Sequence, residues 1–185
     1  MKKSEPTTRK FINQRTICIK GYECENGGLE IEGTLVDTRT EAITLLNGNF
    51  KPQGTPLHSI QSIMTLSEDM IIEKLTVDYD ALPDKSCIVP YSGTYDNLIG
   101  IDTKKNLKIQ LRDRIPRAEG CTHLNVLIDI MAASAFQTAY NRQKQETGCN
   151  FLDNSCYTWN TKSPSYKILK KALSQQQLKK SRKDL

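Results

Sequence analysis

The chain has 185 residues, of which 37% are hydrophobic and 25% charged, the composition of one folded domain with polar ends. It contains no run of about 18 apolar residues, which argues against a membrane-spanning helix. The polar start Met1–Glu5 lacks the apolar stretch of a secretory signal, so we expect a cytoplasmic protein.

The net charge of +5 is unevenly distributed along the chain. Lys167 to Leu185 hold seven Lys/Arg and one acid, net +6, and residues 1–10 hold four and one, net +3, which leaves −4 for residues 11–166. Basic ends without an aromatic-rich binding surface favour solvated tails over a specific nucleic-acid site. We therefore predict a flexible N-terminus over 1–10, one domain over 11–160 and a basic, helical tail over 161–185.

The first half of the chain predicts about four antiparallel strands. Apolar and polar residues alternate over Thr16–Tyr22 and Leu29–Val36, and Glu25–Gly28 between them is typical of a hairpin turn. A loop rich in Asn and Gly follows, and a second strand pair runs through Ile60–Leu66 and Ile71–Val77.

The second half changes to a helical pattern. We expect a short helix from Cys87 to about Ile99 and a turn or helix over Leu107–Leu111. From Thr122 apolar residues recur every three or four positions to about Asn141, which predicts an amphipathic helix. An irregular segment after Gly148 precedes the tail helix that follows Pro164. The fold class is therefore α+β, an antiparallel sheet packed by C-terminal helices.

The most informative motif is Gly120-Cys121-Thr122-His123-Leu124, at the predicted start of the long helix. A helix N-terminus favours thiolate, so a reactive or metal-binding cysteine is expected at Cys121. On one helix, side chains two residues apart point about 200° apart. The side chains of Cys121 and His123 can therefore reach the same point only if Cys121 precedes the first helical turn, which Gly120 permits.

The remaining candidate ligands are dispersed. The chain has six cysteines and two histidines, and no C-x-x-C pair marks a zinc motif, so folding must assemble any metal site. Each candidate also has a structural interpretation, as a packed thiol or a loop histidine. The candidate metal ligands are His58, Cys87, Cys121, His123 and Cys156.

Several segments together resemble the bacterial family called domain of unknown function 2889, over roughly residues 10–160. The resemblance implies a bacterial cytoplasmic protein, in some members linked to aromatic-compound catabolism, and no established activity. Members usually have an acid where this chain has Ser59, and often a histidine in place of Tyr157. The matching segments are Arg15–Ile17, Gly21-Tyr22, Ile31–Thr38, Gly54–His58, Cys87, Gly120–Leu124 and Ala135–Gln137.

In layout the chain is also similar to the NifU/IscU type of iron–sulfur scaffold. In that type three cysteines converge at one end of an antiparallel sheet and hold zinc or a cluster. Carried over by position, the resemblance implies His58, Cys87 and Cys121 as the three ligands. Imidazole in place of one thiolate favours zinc or another stable metal over a transferable cluster.

Three functional classes stay open. We favour a metal-binding accessory protein that holds zinc or an iron–sulfur cluster through a Cys/His site. The second is a noncatalytic ligand-binding or interaction module that contacts a protein partner. The third is a thiol enzyme with Cys121 as nucleophile and His123 or His58 as base. Phosphate-loop and zinc-protease motifs are absent from the sequence, which disfavours nucleotide-driven chemistry.

Overall fold

A four-stranded antiparallel sheet packed by helices forms the main body of the protein, which confirms the α+β prediction. The structure is a computed structural model and describes residues 8–91, 93–116, 118–140 and 153–181. Cys149, the predicted helix end at Asn141 and both chain termini lie outside these ranges. None of the helices in the described ranges is long and apolar enough to span a bilayer.

The large sheet is built from two hairpins joined edge to edge, in the order β1-β2-β5-β6. The Glu25–Gly28 segment connects β1 to β2. Gly27 has a positive φ of 79°, a backbone conformation that is strained for residues with a side chain. The predicted loop between β2 and β5 contains a separate small hairpin, β3-β4. The strands are β1 (Asn13–Glu23), β2 (Leu29–Arg39), β3 (Ile43–Thr44), β4 (Phe50–Lys51), β5 (Pro56–Leu66) and β6 (Ile72–Ala81).

The helical half differs from the prediction in one place. The prediction of a single helix from Cys87 to Ile99 is wrong. Two short 3₁₀ helices, Lys85–Tyr91 and Thr94–Leu98, take its place. Gly93 between them has a φ of 106°, which interrupts a right-handed helix. The α-helices are α1 (Leu107–Arg114), α2 (Thr122–Thr138) and α3 (Pro164–Ser181).

The core lies between one face of the sheet and α2. Alternate residues of β2 and β5 are fully buried there, as the period of two in a strand requires. Gly33 leaves room for α2, since a Cβ atom at this position would lie 2.6 Å from Met131 Sδ. The buried residues on this face and on α2 include Leu29, Ile31, Leu35, Ile60, Met64, Leu66, Leu124, Leu127, Ile128 and Met131.

Contacts within the chain divide it into two units, Met1–Thr138 and Ala139–Leu185. The second unit contains α3 and a turn-rich segment before it, where Tyr166 Oη donates to Asp153 Oδ2 at 2.8 Å. The predicted boundary between a domain ending at 160 and a tail over 161–185 stays a prediction.

Candidate metal site

Three charged or ionisable side chains form a row across three neighbouring strands. Arg15 lies opposite Asp37 in the β1-β2 ladder, and Asp37 lies opposite His58 in the β2-β5 ladder. Asp37 follows buried Leu35 by two residues, and His58 precedes buried Ile60 by two. The row therefore continues the core face of the sheet, where apolar side chains would be expected.

The strand pairing is irregular beside this row. The register shifts between Asp37 and Thr38 against β5, and between Ser59 and Ile60 against β6. Bulges of this kind bend a strand and re-aim side chains, and they are frequent next to functional sites.

The N-terminus of α2 brings His123 to the row. Asn125 N donates to Cys121 O at 2.9 Å, so Cys121 caps the helix just before its first turn, the position that Gly120 was expected to permit. Tyr95 Oη accepts a hydrogen bond from Cys121 N at 2.8 Å and donates to Asn125 Oδ1 at 2.6 Å. These bonds hold the helix start, and hence His123, against the end of the sheet.

Both imidazoles approach the same carboxylate oxygen. His58 Nδ1 lies 3.1 Å from Asp37 Oδ2, and His123 Nε2 lies 3.6 Å from it. The two rings stack with centroids 3.7 Å apart and planes 29° from parallel. One ligand atom from each of the three side chains lies within 4.8 Å of the other two, a spacing at which they could hold a metal ion.

A guanidinium fork holds the carboxylate from the other side. Arg15 Nε donates to Asp37 Oδ1 at 2.7 Å, and Arg15 Nη2 donates to Oδ2 at 2.8 Å. Burial alone would raise the pKa of Asp37, but the hydrogen bonds and charge of Arg15 outweigh it and lower that pKa below its ordinary value. Asp37 is therefore an anion at neutral pH with a fixed orientation.

His58 is held in its neutral form. Burial lowers the pKa of His58 below its ordinary value, and the neighbouring His123 lowers it further, against the opposing effect of Asp37. A neutral imidazole is the form that binds a metal ion or accepts a proton. The side chains of Asp37 and His58 are 15% and 14% exposed and that of His123 is 28% exposed, so the cluster is sheltered but reachable from solvent.

Two buried nitrogens, one in the row and one further along β2, lack a hydrogen-bond partner among the described residues. His58 Nδ1 is within reach of Asp37 Oδ2 but outside hydrogen-bond geometry, and Arg39 Nε is buried without a partner. Arg39 follows Asp37 by two residues on β2, so both side chains leave the same face of the strand. Buried polar groups are normally satisfied, and an exception calls for an explanation, of which a bound ion or an ordered water is one.

Cys121 contacts the other nitrogen of the His123 ring. Its Sγ lies 3.9 Å from His123 Nδ1, whereas Nε2 of the same ring lies 3.6 Å from Asp37. The two ring nitrogens therefore contact different groups, and the tautomer of His123 decides which nitrogen donates.

The predicted ligands thus separate into groups. His58 and His123 lie in the cluster with Asp37, and Cys121 contacts it through His123. Cys87 is half-buried in the first 3₁₀ helix, outside the Asp37/His58/His123 group. Cys156 is exposed in the second unit. Coordination by the cysteines stays a prediction.

Sequence reasoning missed Asp37 and Arg15. The signal was present, because Asp37 continues the period of two from Ile31 through Leu35, and Arg15 does the same before Ile17 and Ile19. An ionisable residue at a core-facing position of a strand therefore indicates a functional site as well as a cysteine motif does.

Comparison with known proteins places the chain in a family. The model of a family described as "Protein of unknown function (DUF2889)" matches residues 13–137, which include the whole Arg15/Asp37/His58/His123 arrangement. Searches of curated proteins and of solved structures give no match. The similarity in layout to NifU/IscU scaffolds therefore stays a prediction.

Proposed function

The chain belongs to this family of unknown function, and from the geometry of its cluster we propose that it binds one divalent metal ion, with zinc as the first candidate. Asp37 Oδ2 and one nitrogen each of His58 and His123 would be the ligands. The observation that carries the proposal is the approach of both imidazoles to one fixed carboxylate oxygen, at 3.1 and 3.6 Å.

The spacing supports a common ion. Ligand atoms about 2.1 Å from an ion and about 90–110° apart are separated by about 3.0–3.4 Å, close to the two distances found here. The stacked rings must splay on binding, because two imidazoles that bind one ion diverge from it. Arg15 is then the outer residue that orients the carboxylate ligand.

The donor types narrow the choice of metal. Two imidazoles and one carboxylate suit zinc or mononuclear ferrous iron, whereas iron–sulfur clusters are held chiefly by thiolates. The cluster contains no sulfur ligand among its three members. We therefore favour a single ion over the iron–sulfur alternative.

Metal-free protein dialysed to equilibrium against zinc, and separately against ferrous iron without oxygen, tests the proposal. Full-length protein is expected to bind one ion per chain, and His58→Gln to lose it. Cys87→Ser is the matched control, since Cys87 lies outside the cluster, and it should bind as the wild type does. Equal binding in His58→Gln, or loss in Cys87→Ser alone, would contradict this assignment.

A second candidate function is thiol chemistry at Cys121. It is supported by two contacts of His123, whose Nδ1 lies near Cys121 Sγ and whose Nε2 lies near the Asp37 carboxylate. In this arrangement His123 would accept the thiol proton at Nδ1 while Asp37 orients the ring through Nε2. The two functions compete for Nε2. The rate at which iodoacetamide alkylates Cys121 separates the two functions. It is measured in the wild type and in Asp37→Asn, each with and without zinc. Thiol chemistry predicts a slower reaction in the variant even without metal.

A further inference from the structure

We propose that the metal-loaded site binds a small oxyanion, a carboxylate or a phosphate, at an open position of the ion beside Arg15 and Arg39. This inference rests on the metal ion proposed above. It adds the chemical class of the ligand that the site would take.

The charge balance of the loaded site favours an anion. Imidazole binds a metal ion in its neutral form, so neither histidine would add charge, and the single negative charge of Asp37 is matched by Arg15, which contacts both carboxylate oxygens. A divalent ion bound here would therefore keep its two positive charges largely uncompensated. A partly buried excess of positive charge is stabilised by an anion.

The number of protein ligands leaves room for another ligand on the ion. Three protein ligands leave at least one position of a four-coordinate ion open, the arrangement of sites that bind a water or a substrate. Access is greatest at His123, whose side chain is 28% exposed, compared with 15% for Asp37 and 14% for His58. A small molecule can reach the ion from that side.

Guanidinium groups beside the carboxylate supply hydrogen-bond donors for an anion. The fork to Asp37 uses Nε and Nη2 of Arg15 and leaves Nη1 outside it. Arg39 shares the strand face of Asp37 and has a buried Nε without a hydrogen-bond partner among the described residues. Guanidinium groups match the planar oxygen pairs of carboxylate and phosphate, so an oxyanion fits these donors better than a halide or a neutral ligand does.

Cobalt substitution makes the proposal measurable. Co²⁺ bound to the full-length protein absorbs visible light with a spectrum that reports its coordination, and it is titrated with acetate, with phosphate and with acetamide at constant ionic strength. Acetamide has nearly the shape of acetate without its charge. We expect a saturable spectral change with acetate or phosphate and none with acetamide, and the stronger of the two anions identifies the preferred class.

Variants locate the anion. Arg39→Gln should weaken anion affinity about two- to fivefold, the effect of losing one partly screened charge, whereas Arg39→Lys should keep most of it. Arg112→Gln is the control, because Arg112 is an exposed residue of α1 that contacts Asp113. An equal loss in Arg112→Gln, or none in Arg39→Gln, would overturn the proposed location.

The two proposals fail differently in this experiment. If Co²⁺ binds and neither anion alters its spectrum, the oxyanion inference is wrong and the metal site stands. If Co²⁺ does not bind at all, the metal proposal is wrong and the oxyanion inference fails with it.

Discussion

The two ends of the same sheet face differ in chemistry although the same strands build both. At one end β2 and β5 contribute Leu29, Ile31, Met64 and Leu66, all fully buried beneath the helices. At the other end the same alternation contributes ionisable residues, Asp37 and His58, joined by Arg15 from β1.

The apolar end of the sheet face stabilises the fold, and the polar end is where we place the function. Burial of the apolar end stabilises the domain, whereas burial of the ionisable groups costs desolvation energy, which Arg15 outweighs at Asp37 but Asp37 does not outweigh at His58. A sheet built for stability alone would continue the apolar pattern to its end. The departure from that pattern is the reason to assign the function to the polar end.

The largest effect on stability is expected at the apolar end. Ile60→Ala removes a fully buried side chain one step from His58 along the strand face, and should lower the free energy of unfolding by about 2–5 kcal/mol. Chemical denaturation measures the loss. Folded variant protein should still bind one zinc ion per chain. A loss of zinc binding without a loss of stability would contradict the division of the sheet face into a stabilising apolar end and a metal-binding polar end.

The converse effect is expected at the polar end. His58→Leu removes a metal ligand and extends the apolar row, so zinc affinity should fall more than about 100-fold, beyond the usual cost of losing an outer-shell partner. Stability of the metal-free protein should change by less than about 1 kcal/mol, because an apolar side chain replaces a group that is costly to bury. Paired calorimetry and denaturation test both parts, and severe destabilisation would show that His58 serves the fold.

A smaller effect separates Arg15 from the ligands. Arg15→Gln removes the fork that lowers the pKa of Asp37, so that pKa should rise in the variant, because burial would then be opposed only by the two histidines. Carboxyl carbon chemical shifts followed through acid titration of the metal-free protein measure it. An unchanged pKa in the variant would mean that the two histidines, not Arg15, stabilise the carboxylate.

The smallest effect is a dependence of stability on pH. The folded-state pKa of His58 lies below its ordinary value of 6.5, so the unfolded chain takes up a proton first as the pH falls. Stability of the metal-free protein is therefore full above about pH 6.5 and declines as the pH falls towards the folded-state pKa. The decline should be shallower in His58→Leu, and identical slopes in both proteins would refute the pKa argument.

The sequence predicted the fold better than the site, for a physical reason. The strand pairs and α2 follow from local periodicity, and the Gly27-Gly28 turn sets the first hairpin. The helix predicted from Cys87 failed because Gly93 breaks it, a conformation that periodicity does not report.

The site depends on contacts between residues far apart in the chain. The resemblance in layout predicts His58 as a ligand, and the motif around Cys121 predicts His123. Their shared partner is Asp37, through a strand register that only the folded sheet shows. The local motif around Cys121 favours sulfur ligands, yet Cys121 Sγ contacts His123 Nδ1, whereas the carboxylate contacts Nε2.

X-ray absorption at the zinc edge of the loaded, full-length protein tests the central claim most directly, because it counts ligand types around the ion. The arrangement described here predicts a first shell of nitrogen and oxygen only, at about 2.0–2.2 Å, with the multiple-scattering signature of two imidazoles. A sulfur shell at about 2.3 Å would contradict it and return the metal site to the cysteines.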